Sequence, residues 1–179
     1  MTRTPRSHAL DLLAVAIVAL IGLVAAPASA QRAVAFFRGQ VSGTVMGSST
    51  VAGYEGWHDV TLVRHEITSP RDPASGLPTG RRMHSAIRLR LPESIGSVQL
   101  NSIMARNENL PSVQIVMLSA DGGTVYTIDL TNASIARVRT AWSQTDGVVY
   151  ELELTYQRIT WTHDPGGIVA VDDWETPVP

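Results

Sequence analysis

The run Val148-Val149-Tyr150-Glu151-Leu152-Glu153-Leu154-Thr155-Tyr156 constrains the fold of this chain more than any other stretch. Its apolar and polar residues alternate strictly, a period of two that belongs to extended chain and not to helix. Tyr150, Leu152, Leu154 and Tyr156 fall on one face, Glu151, Glu153 and Thr155 on the other. A strand of this kind buries one face and wets the other, as strands of antiparallel sheets do. Ile87, Leu89 and Leu91 alternate with Arg88 and Arg90 in the same way. Further strands are expected at 34–41, at Val113 to Leu118 and at Val125 to Leu130. One more is expected from Trp57 to Thr68, with Val60, Leu62 and Arg64 sharing a face.

Turn chemistry separates these runs. Asp121-Gly122-Gly123, Asp146-Gly147 and Asp164-Pro165-Gly166-Gly167 supply glycines where hairpins need positive φ. Residues 42–56 are rich in Gly, Ser and Thr and read as irregular. Residues 70–80 read as a long loop, punctuated by Pro70, Pro73, Gly76, Pro78 and Gly80. One short helix is expected after Pro92-Glu93-Ser94, carrying Ile95, Val98, Ile103 and Met104, with Glu93 early and Arg106 late to oppose its dipole. The pattern predicts a mainly β domain, a small antiparallel barrel or sandwich with one helix.

Residues 1–30 stand apart. Arg3 and Arg6 precede an apolar run from Leu12 to Ala26, and Ala28-Ser29-Ala30 offers the small residues a signal peptidase reads. The run is short for a membrane-spanning helix, which needs about 20 residues. The expected division is a secretory signal peptide at 1–30 and one domain at 31–179, with an uncleaved membrane anchor at 1–30 as the alternative. The mature chain then starts at Gln31, is secreted or periplasmic, and keeps no membrane span after cleavage. Cysteine is absent, which excludes disulfides and thiolate metal sites. The net charge is −2, with 14 cationic side chains that are all arginine, so no basic field draws nucleic acid.

Known chemical constellations are hard to find. His58 adjoins Asp59 and His65 adjoins Glu66, but neighbours on a strand point to opposite faces and do not converge on one ion. No HExxH spacing and no G-x-S-x-G elbow occurs. Glu151 and Glu153 stand on one strand face about 7 Å apart, where a solvated face is commoner than an acid–base pair. Trp57, Trp142, Trp161 and Trp174 are expected in core or interface positions more than in a sugar platform. No catalytic residue, cofactor or metal is expected.

One segment is more specific. Asp72-Pro73-Ala74-Ser75-Gly76-Leu77-Pro78-Thr79-Gly80-Arg81-Arg82-Met83-His84 resembles the loop of the haemolysin-coregulated (Hcp) proteins. Val63-Arg64-His65-Glu66-Ile67 resembles the strand that enters this loop. Leu154 to His163 resembles the family's closing strand, and Gly166-Gly167 with Asp172-Asp173-Trp174 resembles its glycine turn and tryptophan. The resemblance spans roughly residues 36–175. It implies a small barrel of the Hcp and phage-tail-tube type with one short helix. It also implies a homo-hexameric ring that stacks into the tube of a type VI secretion machine, with effector proteins as cargo and spike and sheath components as further partners. Two features depart from the tube members: the signal-like start, and the charges of Arg88-Leu89-Arg90-Leu91-Pro92-Glu93-Ser94.

An edge strand invites pairing with another chain, and a ring of copies closes that pairing. The long loop is then a candidate inter-subunit arm, with a solvent-exposed connector as the alternative. Its candidate residues are Asp72, Gly76, Pro78, Thr79, Gly80, Arg81, Arg82 and His84, with prolines limiting the entropy lost on docking. The rival expectation is an exported monomeric β-barrel binding module that has lost tube assembly.

Overall fold

A computed structural model describes residues 31–175. The expected signal peptide at 1–30 lies outside these residues. The chain forms β1 (Arg32–Gly39), β2 (Gly43–Val45), β3 (His58–Val60), β4 (Leu62–Arg64), β5 (Ile67–Thr68), β6 (Met83–His84) and β7 (Ile87–Pro92). After these come the helix α1 (Ser97–Ala105), then β8 (Leu110–Leu118), β9 (Thr124–Ser143), β10 (Gly147–His163) and β11 (Ile168–Asp173). All pairings among these strands are antiparallel. The main sheet runs β2-β1-β8-β9-β10-β7-β4, with β3 also on β1 and β11 also on β10.

Alternation decides the core. Tyr150, Leu152, Leu154 and Tyr156 are all buried, and Ile87, Leu89 and Leu91 face them from β7. Phe37, Val113, Ile115, Ile128, Leu130 and Ile159 complete the interior. Two strands run far beyond the alternating segments that announce them. β9 has 20 residues and β10 has 17, joined at 144–146 by a turn after which Gly147 takes φ +68°. The register shifts between Glu153 and Leu154. The extra residue is Ala136 on β9, exposed beside Arg137, and it lets Val138 and Ile135 both face the core although three positions separate them.

Among the described residues no ladder closes the sheet into a full cylinder. The gap is spanned by covalent chain: β3 pairs with β1, β4 pairs with β7, and only Thr61 separates them. Thr61 donates its N–H to the Arg90 carbonyl at 2.8 Å. The change of partner also reverses the inward face. Val60 is buried, Leu62 is 49% exposed, and Val63 packs against the core. The single 57–68 strand with Val60 and Leu62 on one face is therefore corrected to three short strands.

The helix is corrected too. It begins at Ser97, one turn later than Glu93, and no acidic residue lies in its first turn. Ser94 donates its N–H to Ser97 Oγ at 2.9 Å, which fixes the approach. Leu100 and Ile103 point into the core, whereas Ile95 and Val98 are exposed.

A second, smaller cluster lies on the outer face of β1 and β8. Val34, Val116 and Leu118 are covered there by Val51, Tyr54 and Trp57. The Gly- and Ser-rich stretch 46–57 is thus a cover for apolar surface. Phe36 and Tyr54 pack against Trp57 with ring centres 5.4 and 5.0 Å away.

Glu108 ties the β1–β2 turn to the end of α1. Its carboxylate accepts the N–H groups of Val41 and Ser42 at 2.8 and 2.6 Å, Ser42 Oγ at 2.7 Å and the Arg106 guanidinium at 2.8 Å. Bonding to Arg106 first, and to Ser42 next, holds this carboxyl at about 2 against an ordinary 4.5. A carboxyl depressed in the folded state stabilises the fold above its unfolded pKa. That contribution is lost as pH falls from about 4.5 towards 2. Glu108→Gln is therefore expected to melt below the wild type at neutral pH, with the gap closing as pH falls through this window. Thermal melts across the acid range check this, and a gap independent of pH would contradict it.

Candidate interaction site: the arm and its anchor

The stretch expected as a loop folds as a hairpin arm. Ile67 pairs with His84 and Thr68 with Met83. Ser85 donates to the Glu66 carbonyl at 2.9 Å, and Thr79 to the Pro70 carbonyl at 2.9 Å. Arg71 bridges to Pro78, and Asp72 donates to the Leu77 carbonyl at 2.9 Å. Asp72 builds the tip. Its Oδ1 accepts Ser75 N–H at 2.7 Å, Ser75 Oγ at 2.9 Å and Ala74 N–H at 3.0 Å, and these bonds lower its pKa. Gly76 follows at φ +70°, a conformation that a Cβ disfavours. The arm leaves Ile67, Leu77 and Met83 about half exposed or more.

The candidate arm residues divide by position. Gly76, Pro78, Thr79 and Gly80 are exposed in the tip and upper rungs around half-buried Asp72, and Arg81 is exposed beside them. Arg82 and His84 turn back onto the barrel. Arg82 makes a two-pronged ion pair with Asp172 on β11 through Nε and Nη2. His84 Nδ1 lies 2.7 Å from the Tyr156 hydroxyl, and His84 Nε2 lies 2.8 Å from Asp172 Oδ2, off the line of a good hydrogen bond. The same hydroxyl meets His65 Nε2 at 2.7 Å. Trp161 and Trp174 flank the two imidazoles, with ring centres at 5.2 to 6.1 Å.

Electrostatics follow from this crowding. Burial pushes the His65 pKa down, and the neighbouring His84 adds to the shift. Burial, then the Asp172 charge, pushes the Tyr156 phenol well above its ordinary value. Hydrogen bonding to Arg82 lowers the Asp172 carboxyl. No spacing rule announces this network, because its members come from four separate stretches of chain. One signal was available: Tyr156 sits on the inward, apolar line of β10, and a buried phenol requires a polar partner.

His58 is buried and Asp59 exposed on β3, as alternation requires, whereas His65 and Glu66 lie between β4 and β5 with His65 half-buried and Glu66 exposed. His58 is buried between the Val45 carbonyl at 3.2 Å and Ser94 Oγ at 2.9 Å. Glu151 and Glu153 lie in two cross-strand rows, Arg139–Glu151–Arg90–Leu62 and Arg137–Glu153–Arg88–Arg64. Arg139 reaches Glu151 at 3.1 Å; Arg88 and Arg137 reach Glu153 at 3.2 and 3.5 Å. Both carboxylates thus lie beside arginines of the neighbouring strands. The tryptophans do not share a face: Trp142 lies 73% exposed in the strand leading into the β9–β10 turn, and Trp57 lies in the outer cluster. Among the described residues no helix is long and apolar enough to cross a membrane.

Comparison with known proteins agrees with this geometry. Residues 38–163 match the family described as "Type VI secretion system effector, Hcp". The "Major exported protein" of Pseudomonas aeruginosa PAO1 is 30% identical over 162 residues, covering 77% of this chain and 94% of that protein. Hcp1 of the E. coli EAEC 042 pathovar superposes with a TM-score of 0.74 at 22% identity, covering 81% of this chain and all of the other. The secreted protein Hcp3 of Pseudomonas aeruginosa gives 0.68 at 23% identity, covering 82% and 100%. A small antiparallel β fold with one helix, an ordered hairpin arm, and a family match across 38–163 together place the chain in the Hcp family of type VI secretion.

Proposed function

We propose that this chain is a structural, ring-forming subunit of a type VI secretion tube, working as stacked homo-hexamers through which effector proteins pass. The observation that carries the reading is the arm. It is a preformed hairpin, anchored at its base, that presents Ile67, Leu77 and Met83 with no cover from its own described residues. A preformed arm docks at less entropic cost than a loop that must order on contact. Strand edges add to the case, because β11 has a partner on one side only among the described residues and carries exposed Ile168, Val169 and Val171. Such edges are normally blunted in monomers. Export by an N-terminal signal, with Gln31 as the mature start, belongs to this proposal, and N-terminal sequencing of exported material tests it. Spike and sheath components are the further partners it implies.

The deciding measurement is the mass of the mature chain by size exclusion with light scattering, with and without residues 72–80. A ring of about six subunits that stacks at high concentration is expected, and the deletion is expected to abolish stacking. A solitary chain at high concentration would overturn the ring and favour the monomeric binding module. Unaltered ring size and stacking after the deletion would overturn the arm's role.

A further inference from the structure

We propose that His65, Tyr156 and His84 form a one-proton latch: the line accepts a single added proton without strain, and a second one releases the arm from the barrel. Any effect of that release on ring stacking rests on the arm being the docking element.

The geometry admits a proton count. Tyr156 Oη has one hydrogen to give, and it lies 2.7 Å from both His65 Nε2 and His84 Nδ1. With both imidazoles neutral, His65 Nε2–H donates to the phenol oxygen and the phenol donates to His84 Nδ1. His84 Nε2–H then faces its nearest acceptor, Asp172 Oδ2. A first added proton is absorbed by reversal. His84 Nδ1–H donates to the phenol, and the phenol turns its hydrogen to His65 Nε2, which moves its own proton to Nδ1. Asp172 Oδ2 stands 2.8 Å from His84 Nε2, so a carboxylate lies beside this end of the line. His65 makes no ion pair among the described residues.

A second proton has no such accommodation. Both imidazoles would then aim N–H groups at one oxygen, and the buried phenol hydrogen would lose its acceptor, which is costly inside a protein. Two cations would also stand with ring centres 5.4 Å apart. The surrounding charges do not compensate. Asp172 is already held by Arg82. Asp173 is turned to Arg158. Glu66 is exposed and accepts from Thr68. Glu175 lines the open groove beside Trp174 and makes no bond to either imidazole. The lowered His65 pKa has the same sense: the folded state resists charging, so its stability is present above the unfolded value near 6.5 and falls as pH drops below it.

Release has a readable consequence. The arm's own ladder is a two-stranded hairpin, which is marginal alone in water. Its amides should therefore lose protection once the base lets go. The experiment is hydrogen exchange on the full mature chain at about pH 7.5 and about pH 5, corrected for intrinsic rates, with light scattering on the same samples. In the wild type, the amides of Asp72, Thr79 and Ser85 are expected to lose at least about tenfold of their protection at the lower pH, while Val113 and Ile115 keep theirs. His65→Gln keeps a donor and an acceptor at this place without a titrating ring, and its arm is expected to stay protected at both pH values. Tyr156→Phe removes the shared oxygen, and its arm is expected to exchange fast at both.

Equal arm protection at both pH values in the wild type would overturn the latch. So would a wild-type response in His65→Gln, or loss of protection spread through the whole sheet. These outcomes are separate from the ring. A chain that is monomeric yet opens its arm in acid keeps the latch and loses the ring, and a stacked ring with a pH-blind arm does the reverse.

Discussion

Leu152→Ala is expected to lower unfolding stability by about 3–5 kcal/mol, and the melting temperature by roughly 6–15 °C, without changing the fold. Leu152 is fully buried at the middle of β10. Its register partners are Leu89 on β7 and Val138 on β9, so the cavity would open where three strands meet. Collapse into that space is hindered, because the flanking residues belong to ladders whose register holds them. The matched control is Arg139→Ala on the opposite face of the same sheet. Its side chain is 62% exposed and pairs, among the described residues, with Glu151 alone, so a change within about 0.5 kcal/mol is expected. Urea denaturation of both variants measures the contrast. Comparable losses would mean that the inner and outer faces of β10 are wrongly assigned.

That contrast is also the part of the fold that was legible from the chain. Period-two alternation fixes which side of β7 and β10 is buried, because each residue's direction follows from its neighbours. Strand ends were not legible. β9 continues to Ser143 although Arg137, Arg139 and Trp142 break any apolar pattern, since pairing with β10 sustains it. The segment 57–68 misleads for a related reason. Val60 and Leu62 alternate as if on one strand, but the exchange of β1 for β7 at Thr61 turns the face over, and only tertiary pairing contains that information.

The arm was legible in part. Its prolines and glycines mark a departure from the barrel, and its residues resemble the Hcp loop. Its hairpin was hidden, because Ile67 and His84 pair across an intervening stretch with no alternation. The anchor was hidden more deeply. Arg82 and His84 look like outward polar contacts within a polar loop, yet both close on Asp172 from the far end of the domain. Adjacent pairs such as His65 and Glu66 draw attention in a sequence, whereas the side chains that His65 meets come from β6 and β10.

Gly47→Ala is expected to be at least as damaging as the core truncation, for a reason that neither burial nor propensity conveys. A Cβ on Gly47 would lie 2.0 Å from the Trp57 carbonyl oxygen, 2.3 Å from its carbon and 2.5 Å from the His58 nitrogen. These are backbone atoms and cannot swing aside as a side chain does. The approach is close because Gly47 donates to the Gly56 carbonyl at 2.7 Å while Ser49 donates to the Trp57 carbonyl at 2.8 Å. Relieving the clash means lifting the 46–57 cover, which uncovers Val34, Val116 and Leu118 and pulls on His58. A loss of about 3–5 kcal/mol is expected, with Trp57 emission shifting to the red as its packing opens. Gly53→Ala separates clash from conformation. Gly53 sits in the same cover at φ +81° with nothing within 4 Å of its added Cβ, so only the left-handed backbone is penalised, by about 1–2 kcal/mol. Equal losses at the two sites would show that the cover yields freely. The Gly- and Ser-rich stretch would then be a loose connector, with the outer faces of β1 and β8 held by something other than Val51, Tyr54 and Trp57.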